Sequence, residues 1–430
     1  MKSVCKCVIV LALGTGPLAS QTTPALSLNQ LVAIALDNNS NIRLAERGLS
    51  AAKAERRGSY AGLIPSLQAS MNRDMDPKAI QLASGYTVEP EPYSSSMSIS
   101  QTLFDGGAAW YNRRDGKYAV AAAQAQQDQT HLQVVLGVKQ AYYRLLSNQE
   151  LLEVAREALE LSRRQLELVE ERYRLQAVRE SDLLKARVSV GQREADYHRA
   201  VQALAASAAD LNVVVGQDPH LPINAQRDTL SITPIPDREM AYSLLSNNNP
   251  TLRAQDLAVE RAWLNAKAQR GVMLPTVSLS YSGNALGREM GAVFSLDSLS
   301  NNSATRLNIY FPLFTGMRNS SNYSRMRYAA LAEEERLELT ELDLKRQLEN
   351  TLLDLEALHK IHPITQDVLA SAEADVRLAD EQYRLGAISI LDLLDAQVSL
   401  ITARSSMVRT TYDIKIAAAQ LDALMGTITE

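Results

Sequence analysis

Cysteine is almost missing from this chain of 430 residues: the two that occur, Cys5 and Cys7, stand at its extreme N-terminus. A disulfide framework, thiol chemistry and a cysteine-ligated metal site are therefore excluded from everything that follows them. Histidine (five), phenylalanine (four) and tryptophan (two) are also scarce. Little material remains for histidine chemistry or for a thick aromatic core. No nucleophile, base and orienting group stand in a recognisable order, and no phosphate-binding loop occurs, so the chain reads as a non-enzyme without a cofactor. His359 and His362 are three apart with Glu356 as the one acid nearby, and Pro363 follows them, so they read as an incidental pair and no metal site is expected. The formal charge is −5 with no basic block. Nucleic acid is excluded as a partner on that ground.

The N-terminus is read as an address label. Lys2 and Lys6 precede a short apolar run over 8–13, and small residues follow to Ser20. Residues 1–20 are expected to be a signal peptide cut at about 19–25. Its apolar run is far below the roughly 20 residues of a membrane helix.

What is abundant is repetition. Residues 171–190 and 381–400 agree at 11 of 20 positions, where average composition gives about one. The same offset of 210 aligns Asn38 and Asn39 with Asn248 and Asn249, Arg43 with Arg253, Pro65 with Pro275, Phe104 with Phe314, and Gly216 with Gly426. Solenoids repeat every 20–50 residues or so, so a period this long means two domain-sized halves. The first repeat is placed at 27–216, a linker at 217–237 and the second repeat at 238–426.

Within each half the hydrophobic period changes twice. Ser27 and Gln30 form a capping-box pattern that starts a helix over about 28–62, with a break near 38–41. The counterpart restarts at Asn249 and Pro250, a cap followed by proline at the first helical position. After Pro65 and Pro275 the pattern alternates: Leu67, Ala69 and Met71 between small polar residues, then Val277, Leu279 and Tyr281 likewise. Return strands alternate around Met97, Ile99 and Leu103, and around Leu307, Ile309 and Phe311. Loops at about 75–92 and 285–303 join them, so each half carries one β-hairpin, over about 64–104 and 274–314. An isolated hairpin is marginal in water. Apolar and small polar residues alternating over about ten positions suit a membrane barrel wall, which must close and needs about eight strands or more. Four strands per chain imply that several copies build one barrel.

Helix starts follow each hairpin, at Asp105 and Thr315, whose side-chain oxygens are placed to cap free amides. The first helix extends to about 172, roughly 100 Å at 1.5 Å per residue. Leu145, Leu152, Leu159, Leu166 and Tyr173 fall seven apart, a coiled-coil seam. The second half keeps Leu348, Leu355, Leu369, Val376 and Tyr383, with a kink or break expected at Pro363. The two near-identical stretches sit where each long helix reverses. Gly386 suits the left-handed turn that ends a helix, whereas Gln176 takes that place in the first half at a higher cost.

At these residues the chain resembles the TolC family of outer-membrane channels over about 27–427. The resemblance rests on the duplicated plan, the junctions TLFDGG and PLFTG, and a tip pattern of Tyr-Arg-Leu-Gly, Ser, then Asp-Leu-Leu-Asp-Ala. It implies a mainly α protein with β-hairpins: a homotrimer with a 12-stranded barrel in outer-membrane lipid and a large periplasmic 12-helix α-barrel. The implied function is a passive exit duct of a tripartite efflux pump or type I secretion system. Its implied partners are a periplasmic adaptor and an inner-membrane pump of RND, ABC or MFS type. Carried over position by position, adaptor contact falls on Arg174, Leu175, Arg384, Leu385, Gly386 and Ser389. The periplasmic gate falls on the paired Asp392 and Asp395, with Tyr383 and Asp182 as latch. Gln176 and Arg179 depart from the pattern in the first tip, and Ile388 stands where one member carries a latch arginine. The alternative is a coiled-coil or adaptor-like envelope protein without a pore. Two lipid-patterned hairpins have no use in such a rod.

Overall fold

The computed structural model describes residues 25–428 except 76–77, 82–83, 86, 89–90, 228–233 and 294. The expected signal peptide lies outside the described residues. Each half opens with two short helices, α1 (Leu28–Asn38) and α2 (Ser40–Gly58), then α5 (Arg238–Asn248) and α6 (Pro250–Gly271). The capping box at Ser27 and Gln30 is formed, and Asn39 and Asn249 cap the second helix of each pair. These asparagines also reach across the fold, their Nδ2 groups donating to the carbonyls of Val214 (2.7 Å) and Leu424 (3.0 Å).

Four strands follow in two hairpins, β1 (Ser66–Arg73) with β4 (Tyr93–Asp105), and β5 (Thr276–Gly287) with β6 (Ser303–Tyr310). They form one antiparallel sheet in the order β1-β4-β5-β6. A small ladder in the first loop pairs β2 (Ile80–Gln81) with β3 (Thr87–Val88). The loop expected over 285–303 is partly ordered: β5 extends to Gly287, a 3-10 turn spans Met290–Val293, and α7 (Leu296–Asn301) follows. Phe311 falls just outside β6. The register puts Leu67 opposite Ile99, Ile99 opposite Tyr281, and Leu279 opposite Leu307. Directly paired residues share a face, so these apolar side chains line one side of the sheet. Ser66, Ser70, Ser96, Ser100 and Ser280 line the other. There Ser66 Oγ meets Ser100 Oγ at 2.8 Å and Ser70 Oγ meets Ser96 Oγ at 2.7 Å. Among the described residues β1 and β6 each lack an outer neighbour.

Beyond the sheet run α3 (Ala108–Arg174) and α8 (Arg318–Arg384), each 67 residues, returning through α4 (Glu180–Val215) and α9 (Ile390–Leu424). The expected caps are made: Ala109 N–H donates to Asp105 Oδ2 (2.7 Å) and Asn319 N–H to Thr315 Oγ1 (3.4 Å). One expectation needs correction, because α8 runs through Pro363 without a break. Proline removes a single donor, and a helix of this length, packed along α9, keeps its neighbouring bonds; Thr365 Oγ1 donates to the carbonyl of His362 at 2.7 Å.

The core is written twice at the same offset. One cluster holds Ala35, Val138, Leu145, Leu211 and Val215, and the other holds Leu245, Leu348, Leu355, Leu421 and Met425. A third lies at the far end of the long helices, where the hairpin tips of both halves meet. Among the described residues no helix is long and apolar enough to cross a membrane.

Candidate functional site: the paired hairpin tips

Both tips end their rising helix in the same way. Backbone amides of the residues three and four beyond each tip tyrosine fold back, Gln176 and Ala177 in the first, Gly386 and Ala387 in the second. Ala177 N–H reaches Arg172 O and Ala387 N–H reaches Gln382 O, each at 2.8 Å. The turn needs a left-handed residue, which is Gly386 (φ +74°) in one tip and Gln176 (φ +56°) in the other. Gln176 therefore bears a strain that Gly386 avoids.

The falling helices start unequally. Ser389 caps α9 with a full capping box: its N–H and Oγ donate to Asp392 Oδ2 at 2.9 and 2.7 Å. These bonds favour the ionised form and hold the Asp392 carboxyl below the usual carboxylate range. Arg179 stands at the matching place before α4 and makes no side-chain cap. Asp395 lies one turn beyond Asp392 on the same exposed side of α9, next to the buried strip of Leu393 and Ala396. Leu175 and Leu385 project into solvent at the ends of the tips. Arg384 pairs on its own helix with Asp380 at 3.0 Å, a solvated pair of small energetic weight.

Val169, Leu183 and Ala186 of the first tip pack with Ala379, Ile390, Leu393 and Ala396 of the second, and Tyr383 is set among them, 5% exposed. The hydrogen bond expected between Tyr383 and Asp182 is not made. Among the described residues the buried Tyr383 hydroxyl makes no hydrogen bond of good geometry, though the Arg172 guanidinium lies close enough to act on it, and Asp182 Oδ1 accepts from the neighbouring Ser181 hydroxyl at 3.4 Å. What holds Tyr383 is Arg172. Its guanidinium carbon lies 5.1 Å from the ring centroid, while its two terminal nitrogens donate to the carbonyls of Tyr383 and Arg384, each at 3.3 Å. Burial pushes the phenol pKa up, against the pull of the Arg172 charge. Arg172 was missed in the sequence. The one available signal was its pairing, at offset 210, with the uncharged Gln382.

Among the described residues no group of three or more His, Cys, Asp or Glu is arranged to hold a metal ion. His362 is buried on α8.

The chain matches the family model described as outer membrane efflux protein twice, over residues 31–217 and 241–427. It is 24% identical over 394 residues to the antibiotic efflux pump outer membrane protein ArpC of Pseudomonas putida, covering 89% of this chain and 79% of that protein. It is 26% identical over 417 residues to protein CyaE of Bordetella pertussis, covering 94% of this chain and 84% of that one. The solved structure of CusC superposes with a TM-score of 0.81 at 21% identity, covering 93% of this chain and 92% of that one. The Campylobacter jejuni CmeC outer membrane channel superposes with a TM-score of 0.83 at 18% identity, covering 93% and 85%.

Proposed function

Because this chain belongs to the outer membrane efflux protein family, we propose that three copies of it close one barrel and act as the passive exit duct of a tripartite export machine. The observation that carries this reading is the four-stranded sheet: one mainly apolar face, one mainly polar face rich in serine that also carries Gln68 and Arg306, and, among the described residues, two edges without neighbours. An open edge in lipid leaves backbone groups unpaired at several kcal/mol each, and a four-stranded sheet cannot curl on itself. Three sheets of four strands joined edge to edge give twelve, an even number within the range of known barrels. The apolar face then meets lipid and the serine face lines water.

β4 leads into α3 through two glycines and β6 into α8 through residues 311–317, and each helix is about 100 Å long, which sets the tips far into the periplasm. There the exposed Arg174, Leu175, Arg384, Leu385, Gly386 and Ser389 are the contact points for a periplasmic adaptor, which links the duct to an inner-membrane pump. Residues 1–20 direct the chain across the inner membrane and are removed. Asp392 and Asp395, two from each of three chains, ring the bore at its narrow end. Such a ring attracts polyvalent cations that can sit among several carboxylates.

Single-channel recording in a planar bilayer tests both parts. The purified protein is expected to conduct, and a polyvalent cation such as hexamminecobalt added on the tip side is expected to block it. The double variant D392N/D395N, in which the asparagines keep an acceptor for the capping box, is expected to lose the block. A protein that inserts without conducting would favour the poreless rod. Undiminished block in the double variant would leave the two aspartates as ordinary helix-start acids.

A further inference from the structure

Resting on the reading of the sheet as part of a barrel wall in lipid, we propose that the helix ends next to the sheet form a basic collar that binds the headgroups of anionic phospholipids in the leaflet they adjoin. Four helix ends lie at one level beside the sheet. Gly116 of α3 packs on Arg56 and Ser59 at the end of α2, and Gly106, just before α3, packs on Gly271 at the end of α6. α8 runs alongside α6, where Trp263 Nε1 donates to Glu334 Oε1 at 2.8 Å. The three turns of each helix nearest the sheet, residues 48–58, 108–118, 261–271 and 318–328, hold twelve basic residues and two acidic ones. The turns next further from the sheet, 40–47, 119–129, 250–260 and 329–339, hold four basic and eight acidic. The chain carries −5 in all, so a band of +10 is set against −15 elsewhere. Along the helices the sign reverses within roughly 16 Å.

Little of this charge is used inside the fold. Among the described residues Arg261 pairs with Asp115 at 2.9 Å, while the other eleven cations are exposed and make no ion pair. Arg113 lies over the Tyr60 ring and Arg114 near those of Trp110 and Tyr118, contacts that orient a guanidinium without neutralising it. Helix stability does not account for the band. Cations suit the ends of α2 and α6 but oppose the dipoles at the starts of α3 and α8, whose first turns carry no acid. Duplication does not account for it either. Each half holds six of the twelve, yet the offset of 210 matches only Arg57 with Lys267 and Lys117 with Arg327, while Arg113 aligns with Tyr323 and Arg270 with Tyr60. The charge recurs by level and not by position, as a flat anionic surface requires. That surface is a leaflet, because the collar continues an apolar ring: Leu63, Ile64, Leu313 and Phe314 are exposed between strands and helices, and Trp110 is exposed at the join. Basic side chains reach from apolar surface to headgroups, tryptophan settles at the interface, and the guanidinium fork matches phosphate.

The test reconstitutes the full-length protein in vesicles of equal parts phosphatidylglycerol and phosphatidylcholine, counts the lipid retained on extraction by native mass spectrometry, and records conductance from the same preparations. Phosphatidylglycerol is expected to be retained severalfold over phosphatidylcholine, and the excess to disappear at high salt. K117Q/R325Q/R327Q is expected to lower the excess about fivefold, whereas R164Q/K185Q/R377Q, the same loss of charge near the tips, leaves it unchanged. R325K/R327K keeps the charge and is expected to keep most of the excess. A conducting wild-type protein that retains both lipids alike overturns the collar and leaves the barrel, the charge then serving an acidic protein partner. A protein that neither inserts nor conducts overturns the barrel reading and the collar with it. Equal losses in the two triple variants reduce the effect to net charge and overturn the assignment to this band. The salt arm needs no variant: an excess that survives high salt does not come from charge and overturns the collar.

Discussion

Asp392 has two demands on one side chain. It is the acceptor of the capping box that starts α9, and it stands with Asp395 on the exposed side proposed to face the bore. Its folded pKa is depressed. A depressed carboxylate contributes stability that is present above the unfolded value, about 3.9, and is lost as pH falls through the folded value. Protection factors of the amides at 390–393, corrected for the intrinsic pH dependence of exchange, are therefore expected to be higher near neutrality than in acid; equal protection at both pH values would contradict it. Most of this tip is legible in sequence, because Gly386, Ser389 and Asp392 act on neighbours within a few positions. Arg172 was not, since its partners lie 211 and 212 residues away. No local pattern reports a contact that depends on which helix ends are brought side by side.

At the scale of elements, the repeat is visible in structure as pairs of long helices with identical offsets, and the sequence seam foretells them well. It fails at Pro363, where a breaker is absorbed by the packing around it. It also misses Met317, which takes the left-handed position (φ +66°) that Gly107 fills in the first half. The join between short and long helices is tighter than any periodicity indicates. A Cβ on Gly426 would lie 2.7 Å from the carbonyl oxygen of Asn248, and one on Gly216 equally close to that of Asn38. Both glycines also have positive φ. Gly426→Ala is expected to destabilise by about 2 kcal/mol or more, from left-handed strain plus overlap. Gly48→Ala, on an open helical site, is expected to gain up to about 1 kcal/mol. Thermal or denaturant unfolding of the two variants checks the contrast, and similar effects would contradict this packing. Leu348→Ala, fully buried in the second core, is expected to cost about 2–5 kcal/mol.

As a whole the single chain presents long helices with a small sheet at one end, on one side of which Leu67, Ile99, Leu279, Leu307 and Ile309 are exposed. On the proposed lipid side, Leu307→Arg is expected to cost about 2–4 kcal/mol near the membrane midplane, while Ser280→Arg on the water side folds and alters conductance instead. Refolding into bilayers and denaturant titration separate the two, and equal costs would mean the faces are assigned wrongly. The proposed reading at this scale depends on closure by three copies. Native mass spectrometry of the detergent-extracted protein measures that number directly. Three chains in one particle is the expected result, and a stable single chain that keeps its strand content would contradict it.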